Sequence, residues 1–241
     1  MEFDAQLFWD ALSSGTYAKG ALLAVGLTVA SLAAATVLGF ALALGRASGL
    51  RAVRWLAWVY TWFFRATPTL LQLLFVWYAL PQLVPALNDE WFTPFMAAFV
   101  ALALNEAAYM AEIVRSGLLA VDPGQRLAAR ALGMTSVQAY RRVIVPQAVR
   151  VVVPPTGNEF ITLLKLTSLA SVISLHELLT VAQQDTSVHF RFAEFYGAAL
   201  VYYLGLVSVL MAIQAWLERR FTWRTRAARG RFFFRPLTHE H

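Results

Sequence analysis

Residues 122–155 read DPGQRLAARALGMTSVQAYRRVIVPQAVRVVVPP, a basic stretch inside a chain that is otherwise very apolar. Asp122 is a good N-cap, Pro123 suits the first position of a helix, and Gln125 occupies the position of a capping box. Ten residues after Pro123, Gly133 is a typical stop because glycine adopts the left-handed conformation at little cost. The pattern therefore predicts a short helix that ends at Gly133.

A second short helix is predicted directly after this glycine. Thr135 and Gln138 have the spacing of a capping box, and Pro146 is expected to break the helix after Val145. Arginines make the whole stretch too polar to enter lipid. They are Arg126, Arg130, Arg141, Arg142 and Arg150, with Arg115 just before them. We therefore expect two helices joined by a tight elbow outside the bilayer.

The composition indicates an integral membrane protein. The chain is 59% hydrophobic and only 14% charged, with a mean hydropathy of +0.57. It contains no cysteine and only four scattered histidines, so we expect neither disulfides nor a metal site. The net charge of +6 does not indicate nucleic acid binding, because the arginines lie in blocks between apolar segments of bilayer-spanning length.

Five apolar segments are long enough to cross a bilayer. They are residues 19–44, 66–84, 95–116, 155–175 and 195–217. Residues 49–64 carry tryptophans on one helical stripe and are predicted to form an interfacial elbow that leads into the second span. Whether elbow and span form one helix stays open, because Pro68 could either kink a helix or start one.

The distribution of positive charge predicts the orientation. Seventeen of the 20 Lys and Arg residues lie after the first span, after the third span, at Arg65 or in the tail. Positive residues remain cytoplasmic, so the N-terminus is expected outside and the tail inside. Residues 1–16 fit either an amphipathic segment on the membrane surface or a frayed terminus.

The spacing of Ala128-Ala129, Gly133 and Val143-x-Val145-Pro146 resembles the signature loop of the membrane subunits of ATP-binding cassette (ABC) importers. That signature reads Glu-Ala-Ala, three residues, Gly, nine residues, Ile-x-Leu-Pro, and Leu127 replaces its Glu here. The flanking residues 65–68, 108–115 and 154–174 resemble the polar amino acid branch of this family. The resemblance covers about residues 17–220.

This resemblance implies an all-α, type 1 transmembrane domain over residues 17–220, with a coupling loop at 122–150. An extracytoplasmic segment (1–16) would precede it and a basic cytoplasmic tail (221–241) would follow. The implied partners are a second permease subunit, identical or related, two ATPase subunits, an extracytoplasmic amino acid-binding protein and membrane lipid. ATP and Mg²⁺ would bind to the ATPase, and this chain, which has no phosphate-binding loop, would be no enzyme. The location would be the bacterial inner membrane.

Two groups of candidate residues follow from these patterns. The resemblance implies that the coupling loop contacts the ATPase through Gln125, Arg126, Ala128, Ala129, Arg130, Gly133 and Pro146. Polar residues inside the third and fourth spans are costly in lipid and are expected to face the substrate path or a partner. They are Asn105, Glu106, Tyr109, Asn158, Thr162, Lys165, Thr167 and Ser168.

Two other function classes remain open at this point. The intramembrane Glu106 and Lys165 would also suit an ion- or proton-coupled secondary amino acid transporter, although no inverted repeat is visible. A membrane scaffold without a transport role would leave the charges inside the spans as an unexplained cost.

Overall fold

The computed structural model describes residues 3–221, which contain helices and no strand. Most of the predicted basic tail therefore lies outside the described residues. The α-helices are α1 (Ala5–Ser13), α2 (Gly15–Arg46), α3 (Arg51–Ala66), α4 (Thr69–Leu74), α5 (Leu80–Leu83), α6 (Pro94–Leu119), α7 (Pro123–Ala131), α8 (Ser136–Ala139), α9 (Val145–Leu166), α10 (Leu178–His189) and α11 (Phe192–Phe221). Single π-helical segments occur at Phe75–Ala79 and Tyr140–Ile144, and 3₁₀ segments at Pro85–Asn88 and Thr167–Ile173.

The predicted all-helical membrane fold is confirmed. Within residues 3–221, α2, α6 and α11 are each long and apolar enough to cross a membrane. Two further pairs of consecutive helices are bent at a short break, and the described residues have five spans if each of these pairs counts as one. In the first, residues 51–66 and 69–83 meet at 105°; in the second, residues 136–173 and 178–189 meet at 46°.

Helix α6 is the centre of the subunit, since α2, α3, α4 and α9 all pack against it. Its contact with α2 is the most extensive, because Gly39 lets the two backbones approach closely. A Cβ at Gly39 would lie 2.6 Å from the Cβ of Met110 and 3.0 Å from the carbonyl oxygen of Ala107. Small residues at such crossings favour packing between membrane helices.

Between α3 and α4, the chain turns through a helix break at Thr67 and Pro68. Pro68 ends α3 because the residue before a proline disfavours the α conformation. The break contacts Asn105, which lies eleven residues into α6 and so ~17 Å from its first residue. The predicted interfacial elbow and the second predicted span are therefore separate helices, since α3 ends at Ala66 and α4 begins at Thr69. The inner end of α3 lies at mid-depth.

The prediction that Pro146 breaks the second loop helix is wrong. Residues 136–166 form one continuous rod in which α8 passes through the π-helical segment Tyr140–Ile144 into α9. Pro146 lies in the first turn of α9, directly after that segment, where a wider turn accommodates a residue without an amide hydrogen. The helix that contains the predicted fourth span therefore begins at Val145, ten residues before Pro155.

Residues 4–13 are folded against the body, so the frayed-terminus alternative is wrong for them. Helix α1 packs on α11, and the hydroxyl of Tyr202 donates to the carbonyl of Leu12 at 2.9 Å. Asp4 caps α1 by accepting from the amide of Leu7 and pairs with Arg191 at 3.4 Å. The hydrogen bond from the Leu7 amide has the larger effect on the pKa of Asp4, and together with Arg191 it holds that pKa below its ordinary value.

Candidate functional site

Glu106 is the most unusual side chain inside the spans. It is 1% exposed, and its Oε1 has no hydrogen-bond partner among the described residues. Glu159 on α9 is half-buried and close enough to Glu106 to repel it. We call Glu106 and Glu159 the carboxyl pair. Two carboxyls at this depth, with no described cation beside them, are suited to accept a positively charged or hydrogen-donating group.

Helix packing places the carboxyl pair at mid-depth. Helices α6 and α9 run antiparallel, because Gly117 near the end of α6 contacts Ala148 and Val152 near the start of α9. Glu106 lies eleven residues before Gly117, and Glu159 eleven residues after Ala148, so both reach the same level. Glu159 was not among the candidate residues of the sequence analysis, because nothing local in its sequence points to Glu106.

Asn105, next to Glu106 in sequence, faces another element. Its side-chain amide donates to the carbonyl of Phe64 at 3.1 Å and to Oε1 of Gln72 at 2.9 Å. Gln72 in turn donates to Phe64 and Thr67, so the two amides satisfy the carbonyl groups that the helix break frees. Asn105 thus supports the helix break, and Gln72 is a residue that sequence analysis missed.

The remaining polar residues of α6 form contacts toward its C-terminal end. The guanidinium group of Arg65 lies 5.6 Å from the ring centroid of Tyr109, a cation–π contact. Glu112 pairs with Arg115 at 2.8 Å and with Arg46 at 3.7 Å. Glu112 is therefore neutralised by two arginines near the end of α6.

The fourth-span candidates do not form one cluster. Asn158 accepts from Gln214 of α11 at 2.8 Å, whereas Thr167 and Ser168 donate to carbonyls three residues before them in the chain. Thr162 and Lys165 are exposed. Lys165 lies twenty residues into α9, because this helix starts at Val145 and not at Pro155.

The coupling loop has the predicted helix ends. Asp122 accepts from the amide of Gly124, the capping box of Thr135 and Gln138 forms, and Gly133 has a φ of +75°. Gln125 forms no capping box; its side chain accepts from Gln147 at 3.3 Å instead.

The surface of this loop combines arginines with exposed apolar side chains. Leu127, Leu132 and Val137 are 67%, 77% and 75% exposed. Arg126 lies over the ring of Tyr140 at 5.2 Å and so links α7 to the π-helical segment. Of the predicted coupling residues, Gln125, Arg126, Ala128, Arg130, Gly133 and Pro146 are exposed, and Ala129 is buried. Exposed apolar groups with a polar rim are typical of a protein-binding surface.

Residues 35–223 match the family described as "binding-protein-dependent transport system inner membrane component". The chain is 40% identical over 229 residues to the arginine transport system permease protein ArgU of Corynebacterium glutamicum, covering 88% of this chain and 72% of the relative. It is 36% identical over 220 residues to the glutamine transport system permease protein GlnP of Escherichia coli, covering 91% and 98%. The crystal structure of an amino acid ABC transporter with histidines aligns with a TM-score of 0.81 at 34% identity, covering 91% of this chain and 99% of that chain.

Proposed function

Because the chain belongs to the family of inner membrane components of binding-protein-dependent transport systems, we propose that it is the permease subunit of an ABC importer for a polar amino acid. Multi-pass membrane subunits of this family work with ATPase subunits and a binding protein, and nucleotide binds to the ATPase. The observation in the structure that carries the transport role is the carboxyl pair, a polar site at mid-depth in which Glu106 is buried and Glu159 half-buried.

The carboxyl pair is proposed to bind the substrate during its passage. An amino acid has an ammonium group, and a carboxylate in a water-poor site forms a strong charge-assisted hydrogen bond with it. Glu106 lies on α6 beside Asn105, which supports the helix break, so the site adjoins irregular backbone. Such backbone is tolerated at membrane depth where it is buried in protein or lines a cavity.

The test is uptake by the complete importer, reconstituted with its partner subunits and binding protein. Glu106→Gln preserves the size of the side chain and removes its charge, so half-saturation should rise by roughly tenfold or more, as for a lost hydrogen bond to a charged group. The affinity of the binding protein alone should not change. Glu90→Gln, an exposed carboxyl in the loop before α6, is the matched control. Unchanged kinetics and selectivity in Glu106→Gln would remove this residue from the site.

The same preparation distinguishes an ATP-driven importer from an ion-coupled transporter. Uptake should require ATP, and transported substrate should stimulate ATP hydrolysis. Uptake that persists without ATP and collapses with an ion gradient would contradict the proposal.

The coupling loop is proposed to dock on the ATPase through α7 and the elbow at Gly133. Leu127, which replaces a charged residue of the family signature, makes the proposed contact apolar, together with Leu132 and Val137. Arg130 supplies an exposed charge at the rim, whereas Arg126 is held by Tyr140. Burial of large apolar side chains is the main driving force for such contacts.

Two substitutions at Gly133 separate docking from helix termination. A side chain there meets nothing within 4 Å in the subunit, so only the positive φ opposes it. Asn tolerates this conformation and Val does not. If Gly133 allows close approach to the ATPase, both Gly133→Asn and Gly133→Val should lose the coupling of ATP hydrolysis to transport. Normal coupling in Gly133→Asn alone would mean that Gly133 only terminates α7.

We further propose that two permease subunits enclose the substrate path, with the coupling loop and the tail in the cytoplasm and the N-terminus outside. The excess of arginine in the coupling loop supports this orientation. ATP and Mg²⁺ would bind at the two ATPase subunits.

A further inference from the structure

A basic cleft of about 760 Å³ lies where α2 ends, α3 begins and α6 ends, apart from both the carboxyl pair and the coupling loop. We call it the arginine cleft. It is lined by Arg46, Arg51, Ala52, Arg54, Trp55, Trp58 and Arg115.

The arginine cleft has a surplus of positive charge. Glu112 pairs with Arg115 and Arg46 and is the one carboxylate, among residues 3–221, that neutralises the cleft arginines. Arg54 donates to the carbonyl of Ser48, and Arg51 forms no ion pair with any described residue. Four guanidinium groups around one cleft repel one another, so an anion in the cleft would relieve that repulsion.

The surroundings of the cleft favour a lipid over a soluble anion. Arg46 is the last residue of α2 and Arg115 lies four residues before the end of α6, so both are near the ends of helices that can span the membrane, which is the level of the headgroups. The indole rings of Trp55 and Trp58 suit the same level. From there α3 continues with the exposed apolar side chains of Leu56, Trp62 and Phe63, against which an acyl chain would pack.

We propose that the arginine cleft binds the headgroup of an anionic phospholipid, with its phosphate between the arginines and its acyl chains along the exposed face of α3. Basic pockets between membrane helices bind anionic headgroups through this chemistry. The inference depends only on the level of the helix ends and holds for either orientation of the chain. A lipid in this place would fix α3 relative to α2 and α6, next to the segment that leads to the helix break.

Quenching of tryptophan fluorescence by brominated lipid tests the proposal directly. The full chain, with its partner subunits, is reconstituted into phosphatidylcholine vesicles that contain either brominated phosphatidylglycerol or brominated phosphatidylcholine at the same mole fraction. We expect stronger quenching by the anionic lipid, and Trp58→Phe should remove part of that difference. The double substitution Arg51→Gln with Arg54→Gln should lower the preference for phosphatidylglycerol by roughly an order of magnitude.

The matched control is Arg141→Gln with Arg142→Gln, which removes two adjacent exposed arginines outside the cleft. Equal quenching by the two brominated lipids in the unmodified protein would overturn the proposal. The proposal would also be overturned if the control variant lost as much of the preference for phosphatidylglycerol as the variant with Arg51→Gln and Arg54→Gln. In a separate measurement, millimolar inorganic phosphate is added to the vesicles that contain brominated phosphatidylglycerol. Relief of quenching by phosphate would mean that the cleft takes a soluble anion instead of a lipid.

Discussion

The close approach of α2 and α6 at Gly39 makes a quantitative prediction about the stability of the subunit. In Gly39→Ala the new methyl group would lie 2.6 Å from the Cβ of Met110 and 3.0 Å from two backbone atoms, the carbonyl oxygen of Ala107 and the amide nitrogen of Ala111. Backbone atoms of a helix cannot rotate away, so α2 and α6 must separate by some tenths of an ångström. Overpacking of this kind costs about 1–3 kcal/mol.

Gly26 provides a matched control on the same helix, because a Cβ there meets nothing within 4 Å in the subunit. Both substitutions change the intrinsic helix propensity alike, by roughly 0.5–1 kcal/mol in favour of alanine. The difference between the two variants therefore isolates the packing cost, and we expect Gly39→Ala to be less stable by about 1–3 kcal/mol.

The assay is reversible unfolding in mixed micelles with increasing SDS, followed by helix content. The free energies of unfolding of the two variants are compared at the same micelle composition. Equal free energies for Gly39→Ala and Gly26→Ala would refute the close packing of α2 on α6.

Three further predictions concern other parts of the chain. Gln72→Leu should lower the free energy of unfolding by about 1–3 kcal/mol, measured in the same SDS titration, because the carbonyl of Thr67 and one amide hydrogen of the buried Asn105 lose their partner. The lowered pKa of Asp4 means that its charged form stabilises the docking of α1. Hydrogen-exchange protection of α1 should therefore be full above the ordinary carboxyl range and be lost as the pH falls through the lowered pKa. Asp4→Asn should weaken this dependence, part of which remains because the charged Glu194 accepts from the backbone amide of residue 4, and Asp10→Asn should leave it unchanged. Cysteines at Gln138 and Asn88 should react with an impermeant reagent from opposite faces of the membrane, and labelling of Gln138 from outside would contradict the proposed orientation.

Local chemistry in the sequence predicts the ends of several elements well. Asp122, Gly133 and the pair Thr135 and Gln138 mark helix ends through bonds to residues two or three positions away, so their partners are visible in the sequence. Long charge-free segments likewise predict α2, because burial in lipid depends on composition alone.

Features that depend on distant residues could not be predicted in this way. Gln72 and Asn105 are 33 residues apart, and only the packing of α4 on α6 brings them together. Pro146 was expected to end a helix, but a π-helical segment before it supplies the wider turn that lets the rod continue. The packing of Gly117 on Ala148, which the sequence does not reveal, brings Glu159 level with Glu106.

The carboxyl pair and the helix break meet on two successive residues of α6. Glu106 faces α9, and Asn105 holds the break between α3 and α4. Because α9 continues the rod that begins in the coupling loop, a tilt of that rod would move Glu159 relative to Glu106. Helix α6 thus contacts both the element that leads to the coupling loop and the irregular backbone at mid-depth. A substrate bound at the carboxyl pair would therefore be released or retained according to the position of α9, which gives the proposed coupling a direct physical route from the ATPase to the substrate.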